Sequence, residues 1–288
     1  MHRFLFDNTD IRGEVVTLSD SYQHILDNNR DLPPRVQALL GEFVAAVSLL
    51  SSTLKFDGIL TLQARGEGPL PLIMAECSHH KAVRAIARPD PEADFDALEG
   101  ADLQALMGQG MLAIIIDPDK GERYQGIVPL DSPDLAGCLQ HYFDQSEQLP
   151  TRFWLSSDTK AATGLMLQAL PQQLATAEEN RDHWETAVQL AETVKDEELL
   201  ELEHDEVLYR LFNEEEVRMF EPAAVRFECS CSRERSANAL ISLGRDEVES
   251  LLSEQDMISI DCQFCNQTYA FGSRDLDSLF GGEQQSLH

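Results

Sequence analysis

Positive charge is scarce in this chain. Against 51 Asp and Glu stand 22 Lys and Arg, a formal net charge of −29 over 288 residues. Such a chain repels phosphate backbones and anionic headgroups, which argues against nucleic acid and membrane surfaces as partners. Long hydrophobic runs are missing too: no stretch of 18 apolar residues occurs, so no transmembrane helix is expected. The opening Met1-His2-Arg3-Phe4-Leu5-Phe6-Asp7 holds an apolar run too short for a signal peptide. A cytosolic protein kept soluble by its charge is the expectation. Several enzyme motifs are absent: there is no G-x-x-x-x-G-K-[ST] phosphate loop, no G-x-S-x-G turn and no H-E-x-x-H pair. Cysteine is sparse, with six in all. In the cytosol thiols stay reduced, so paired cysteines point to metal or redox sensing rather than a permanent disulfide framework.

What is present reads as α+β. The length suits one large domain plus a small one. Ile11–Leu18 is predicted as a strand on its β-branched Val15, Val16 and Thr17. Pro33-Pro34 opens a predicted helix to about Leu54, with Leu39, Leu40, Phe43, Val44, Val47 and Leu50 as its core stripe. Strands are expected over Ile59–Ala64, Leu70–Glu76 and Ala82–Ala87. Glu92–Met107 is mixed and ends in a helix. Gly110–Ile116 and Tyr124–Leu130 form a predicted hairpin, Leu135–Gln148 a helix, and Arg152–Ser156 and Ala162–Ala169 two further strands. Strands in groups with helices between them favour α+β over regular βαβ alternation, and no internal repeat is visible. Cys77-Ser78-His79-His80 is the one tempting cluster of this region, as a nucleophile with its base or as a metal site. Exposed turn residues at a strand end are its plainer reading. Cys138 reads as a small buried hydrophobe.

From Glu178 to Glu216 the composition shifts: 15 of these 39 residues are Asp or Glu and three are Lys or Arg. Trp184, Val188, Ala191 and Val194 make one helical stripe, and Leu200, Val207, Leu208 and Leu211 a second. Asp196-Glu197-Glu198 between them predicts a break between two helices. Like charges crowd at i, i+4 spacing around Glu197, Glu198 and Glu201 and disfavour these helices by a few tenths of a kcal/mol per pair, roughly. An ordinary solvated linker is one reading. An element that folds only by docking, and so unfolds conditionally, is the other.

Near the C-terminus lie Cys229-Ser230-Cys231 and, thirty residues on, Cys262-Gln263-Phe264-Cys265. Two close pairs are the arithmetic of a four-thiolate site, and soft thiolates select zinc. Three uses compete: a structural zinc clip for a small domain, a thioredoxin-like dithiol, and a redox switch. Met257–Ile260 and Thr268–Phe271 are β-like runs, so Cys262–Cys265 is expected at a hairpin tip rather than opening a helix, which weakens the dithiol reading. Ala224–Glu228 leads in as a strand. Ser236–Gly244 and Asp246–Gln255 are predicted helices with Gly244 between them, and Gly281–His288 a frayed tail.

The cysteine pairs with Ser232-Arg233-Glu234-Arg235, Leu243–Val248 and Ile260–Tyr269 resemble the redox-regulated bacterial chaperone family, the heat-shock proteins of thirty-three kilodaltons. The resemblance continues in Tyr124–Val128, Tyr142–Thr151 and Leu167–Pro171. Gln263 stands where an acidic residue is expected, at a position that is not a ligand. The resemblance implies three parts: an α+β chaperone core over 1–177, a metastable helical linker over 178–224 and a redox-switch zinc domain over 225–288. It implies a holdase that needs no ATP and is not an enzyme. One zinc would sit on Cys229, Cys231, Cys262 and Cys265 in the reduced state, with disulfides Cys229–Cys231 and Cys262–Cys265 on oxidation. Unfolding clients would bind the linker's apolar stripes, with Trp184, Leu200, Leu208, Leu211 and Phe212 as candidates. It further implies an oxidised homodimer and hand-over of clients to ATP-dependent foldases. A thiol oxidoreductase using Cys262 and Cys265, and an enzyme within residues 1–175 carrying a structural zinc clip, are the alternatives.

Overall fold

The structure, a computed structural model, describes residues 1–52 and 57–280. The expected helix end at Leu54 and the tail from Gly281 lie outside the described residues. Met1–Glu228 and Cys229–His288 form two compact units.

The first unit opens with β1 (His2–Phe6), β2 (Ile11–Leu18), α1 (Asp20–Asn28), α2 (Pro34–Ser51), β3 (Gly58–Gly66), β4 (Leu72–Ser78) and β5 (Ala82–Arg88). It continues with α3 (Leu103–Met107), β6 (Gly110–Pro118), β7 (Tyr124–Pro129), α4 (Leu135–Tyr142), β8 (Thr151–Ser157) and β9 (Ala162–Ala169). The acidic helices α5 (Ala177–Ala191), α6 (Asp196–Glu201) and α7 (His204–Phe212) follow, then β10 (Val217–Met219) and β11 (Arg226–Phe227). The second unit holds α8 (Arg233–Leu243), α9 (Arg245–Glu254), β12 (Met257–Asp261), β13 (Thr268–Gly272) and α10 (Leu276–Phe280).

Two sheets build the first unit. One has the order β10-β1-β2-β9-β8, the other β11-β5-β4-β3-β6-β7. Every pairing is antiparallel except β11 with β5. Helix α2 packs against strands of both sheets. Pro34 sits in its first turn, where the missing N–H costs nothing. The expected stripe is too narrow, because the consecutive residues Val44, Ala45, Ala46, Val47, Ser48 and Leu49 are all buried. A helix covered on both sides by sheets must be apolar all round. Its one polar intruder there, Ser48, donates to the Val44 carbonyl at 2.7 Å.

The acidic helices cover the other face of the five-stranded sheet through a separate apolar cluster. Phe4, Phe6, Ile11, Val15, Leu165 and Leu167 of the sheet meet Ala187, Ala191, Leu199, Val207, Leu208, Leu211 and Phe212 of the helices. The Phe212 ring stands edge-on to Phe6 at 4.9 Å. Gly13 makes room for this layer, since a Cβ there would collide with the Phe4 ring. The start of α5 is held twice. Thr176 and Glu179 form a capping box. The buried Asp10 carboxylate accepts from the Gln173, Leu174 and Ala175 N–H groups and from Asn180 Nδ2 at 2.7 Å.

Several expectations need correction. The acidic segment forms three helices, not two, and Asp196-Glu197-Glu198 begins α6 instead of breaking the chain. Three carboxylates at a helix start are favoured by the backbone dipole, a signal that competes with their mutual repulsion. In α6 the buried residue is Leu199, while Leu200 is half-buried and lies outside the docked cluster. Helix α4 ends at Tyr142 and runs into a wide π turn over Phe143–Glu147. The expected strand Ala224–Glu228 is two residues long and extends the six-stranded sheet of the first unit. Strands β1 and β10 and helix α1 had no counterpart in the sequence analysis: each is short, and β10 takes its pairing from the distant β1.

Candidate metal centre

In the second unit β12 and β13 pair antiparallel, from Met257 opposite Gly272 to Asp261 opposite Thr268. The connection is a tight turn. The Asn266 N–H donates to the Cys262 carbonyl at 2.8 Å and the Cys262 N–H to the Gln267 carbonyl at 2.9 Å. Asn266 takes the left-handed conformation, φ 56°, which asparagine tolerates better than most residues. Cys262 and Cys265 therefore sit at a hairpin tip, as predicted, and no helix begins at either. A thioredoxin-type dithiol needs that helix start to lower its thiol pKa.

Cys229 and Cys231 arrive on the extended segment ahead of α8. Ser232 caps that helix by accepting from the Arg235 N–H at 3.2 Å. Arg235 donates to Ser230 Oγ at 2.7 Å and to the Ser230 carbonyl at 3.0 Å. Arg233 donates to the Ala270 carbonyl at 2.7 Å and to Asp275 at 2.9 Å, and lies over the Phe271 ring at 4.3 Å. Arg233 ties the segment to the hairpin, and Arg235 shapes it between the two cysteines.

The four sulfurs converge. All Sγ atoms lie within 4.8 Å of one another, with Cys229 to Cys262 at 3.5 Å and Cys231 to Cys265 at 3.4 Å. Sulfurs ~2.3 Å from a tetrahedral zinc stand roughly 3.8 Å apart, so the donor set and its spacing fit such an ion. Burial and hydrogen bonding to its three neighbours hold the Cys265 thiol above its ordinary value. Four thiolates in this volume require a compensating cation. The cluster can hold a metal ion. A fifth group approaches it: Tyr269 Oη lies 3.2 Å from Cys231 Sγ. Bonding to Cys231 pushes the Tyr269 hydroxyl up to about 12, which keeps its proton available. Sequence reasoning assigned Tyr269 no role. The usable signal was an aromatic hydroxyl in the strand leaving the Cys-x-x-Cys turn.

The other candidates stay apart from this cluster. Cys77 is fully buried in β4, points its thiol to the Ser78 carbonyl at 3.5 Å, and burial raises its pKa. His79 accepts the Gly58 N–H at 3.1 Å and lies against the exposed His80, with ring centres 3.6 Å apart and the rings tilted by 47°. No bond joins Cys77 to either imidazole among the described residues. Cys138 is buried in α4, as expected, with its thiol raised by burial. Of the linker candidates, Leu208, Leu211 and Phe212 are buried, and Trp184 and Leu200 are half-buried. No helix among the described residues is long and apolar enough to cross a membrane.

Comparison with known proteins agrees with this architecture. The family model described as Hsp33 protein matches residues 1–272. The 33 kDa chaperonin of Ectopseudomonas mendocina is 53% identical over 97% of this chain and 94% of its own. That of Shewanella woodyi is 47% identical over 99% of this chain and 96% of its own. The crystal structure of the 33 kDa chaperonin from Thermotoga maritima superposes with a TM-score of 0.80 at 25% identity, covering 96% of this chain and 97% of that one. With its family model, its relatives and its two-unit architecture in agreement, the chain belongs to the Hsp33 family.

Proposed function

We propose that this protein is a holdase chaperone, independent of ATP, that oxidation switches on to protect unfolding proteins during oxidative and heat stress. Its family supports the chaperone role, and the convergence of four thiols in a unit with a small core carries the redox reading. Among the described residues that core buries Leu240, Val248, Ile258, Phe271 and Phe280. Cys229, Cys231, Cys262 and Cys265 would hold one zinc ion as thiolates. When bound, such an ion keeps thiols deprotonated and supplies about 10–16 kcal/mol of folding energy. Peroxide converts a thiolate to a sulfenic acid, and a neighbouring thiol displaces its oxygen as water. Each pair of thiols thus becomes a disulfide at the expense of one peroxide, with two waters formed. Following the family resemblance, the pairs are Cys229–Cys231 and Cys262–Cys265. Peptide mapping of the oxidised protein tests them, and a Cys229–Cys262 bridge would contradict the assignment.

With its ligands oxidised the zinc domain, 225–288, loses its metal and unfolds. The linker, 178–224, then leaves the core, 1–177, and presents Trp184, Leu200, Leu208, Leu211 and Phe212 to clients. Its acidic surround keeps the exposed surface soluble. The oxidised protein acts in the cytoplasm as a homodimer and passes clients to ATP-dependent foldases. Light scattering of a denaturing client, with reduced and peroxide-treated protein compared, tests the switch. Suppression should appear only after peroxide, and equal suppression in both states would overturn the redox reading. Turnover of insulin disulfides at catalytic rates would favour the oxidoreductase alternative.

A further inference from the structure

A chain of polar groups crosses the interface between the acidic helices and the sheet. His2 Nδ1 on β1 lies 2.7 Å from Nδ1 of His204, the first residue of α7. His204 Nε2 lies 3.0 Å from Thr17 Oγ1 on β2, and Thr17 lies 3.3 Å from Thr163 Oγ1 on β9. Thr163 ends the chain at two carbonyls, Val16 O at 2.8 Å and Leu199 O of α6 at 3.0 Å. Carbonyls only accept, which sets every proton. Thr163 donates to a carbonyl, Thr17 donates to Thr163, and His204 donates to Thr17 through Nε2. His204 Nδ1 is then a lone pair, and it accepts the Nδ1 proton of His2. Both rings are neutral in this arrangement.

We propose that His2 and His204 form an acid-sensitive latch, whose protonation releases α6 and α7 from the sheet without oxidation. The proposal rests on the reading of these helices as a detachable element, and adds a second input to it. One extra proton buries a charge at a helix N-terminus, where the dipole opposes it. A second proton leaves two N–H groups facing each other across 2.7 Å. The charged surroundings are mixed. Asp205 faces both rings, Glu203 and Glu221 face His2, and the amino group of Met1 opposes protonation of both. Burial outweighs the carboxylates. It is the main cause that pushes His204 down to about 4, ahead of the Met1 amine and His2, and it also lowers His2. A base whose docked pKa lies below its free value of about 6.5 favours docking above that pH. That contribution drains away as pH falls toward 4, by up to about tenfold in the docking equilibrium per pH unit.

The test is hydrogen exchange of reduced full-length protein between pH 7.5 and 5, normalised for intrinsic exchange, with metal content measured on the same samples. The probe segment is Asp196–Phe212. The comparison is with His204→Gln, which can still donate to Thr17 but does not titrate. Protection in the parent should fall up to tenfold per pH unit below about 6.5 with metal retained, while His204→Gln stays flat. Equal pH dependence in parent and variant overturns the latch, as does loss of protection only in step with metal release. Should His204→Gln already be undocked at pH 7.5, His204→Asn replaces it, and a parental pH dependence in His204→Asn overturns the proposal. Acid release without retention of a denaturing client would uphold the latch and sink the client-binding role of these helices.

Discussion

Tyr269 touches the thiol cluster from outside the four cysteines, through its 3.2 Å approach to Cys231. A donor to a ligating sulfur steadies the thiolate, and loss of such outer partners costs about 10–100-fold in metal affinity. Tyr269→Phe should therefore release metal to a competing chelator at least tenfold more readily, with the hairpin intact by circular dichroism. Unchanged competition would leave Tyr269 as hairpin packing alone. A different residue-scale effect belongs to Glu14 on β2, which is 1 % exposed and whose two carboxylate oxygens have no hydrogen-bond partner among the described residues. The neighbouring Ser52 hydroxyl is committed to the Leu49 carbonyl. Burial pushes Glu14 up to about 7, against the pull of Arg12, Lys81 and Arg3. An acid with a raised folded pKa stabilises the fold below its free value of about 4.3, and the benefit is lost as pH rises toward 7, on the order of 3 kcal/mol in all. Thermal melts of Glu14→Gln should lack that loss: its Tm relative to the parent rises between pH 5 and pH 8. A constant difference across that range would show that Glu14 is not the group responsible.

At the scale of the element, α5, α6 and α7 are short, acidic and held by an apolar layer of their own. Isolated helices of this length are marginal in water, so docking supplies their stability. An ion pair between Glu198 and Arg210 links α6 to α7. Glu197 and Glu201, by contrast, repel at i, i+4 spacing, as do Glu178 and Asp182. Replacing exposed Glu201 and Asp182 with Lys turns both contacts attractive and should add about 1 kcal/mol to helix stability in sum. On the proposed mechanism Glu201→Lys with Asp182→Lys still loses metal on oxidation, yet binds clients about fivefold more weakly. Hydrogen exchange across Ala177–Phe212 before and after peroxide reads the same event directly. Client binding without loss of protection there would place the client surface elsewhere.

Across the whole molecule, the two units differ in what holds them. The first is built around α2 and two sheets. The second has, among the described residues, a small core of five buried apolar side chains and a thiol cluster. Chelation combined with peroxide should therefore erase exchange protection from α8 to β13 while α2 stays protected. Simultaneous loss in both units would mean that one cooperative fold spans them. Cys77 and Cys138, buried with raised pKa, have little thiolate to offer an oxidant. Replacing both with Ser should leave oxidation-dependent protection of clients within about twofold, given that surface-inert thiols do not contribute to switching. Abolished switching in a folded double variant would relocate the sensor.

Local chemistry alone determined a good part of this protein. Ligand type and spacing announced a four-thiolate cluster, because cysteines with one or two residues between them are already near enough to share an ion. β-branched runs and turn residues marked most strands, and the hairpin position of Cys262 and Cys265 followed from the runs flanking them. Tertiary structure decided what depends on distant neighbours. The short strand β10 pairs with β1 alone in its sheet, with Met219 opposite Phe4. Whether α2 is amphipathic or buried all round depended on a second sheet that no local window contains. The choice of Leu199 over Leu200 came from which side of α6 meets β8 and β9, which helical spacing leaves open. The meeting of His2 with His204 is the extreme case. Two hundred and two positions separate them in the chain, and only the docking of α7 on β1 brings their Nδ1 atoms to 2.7 Å.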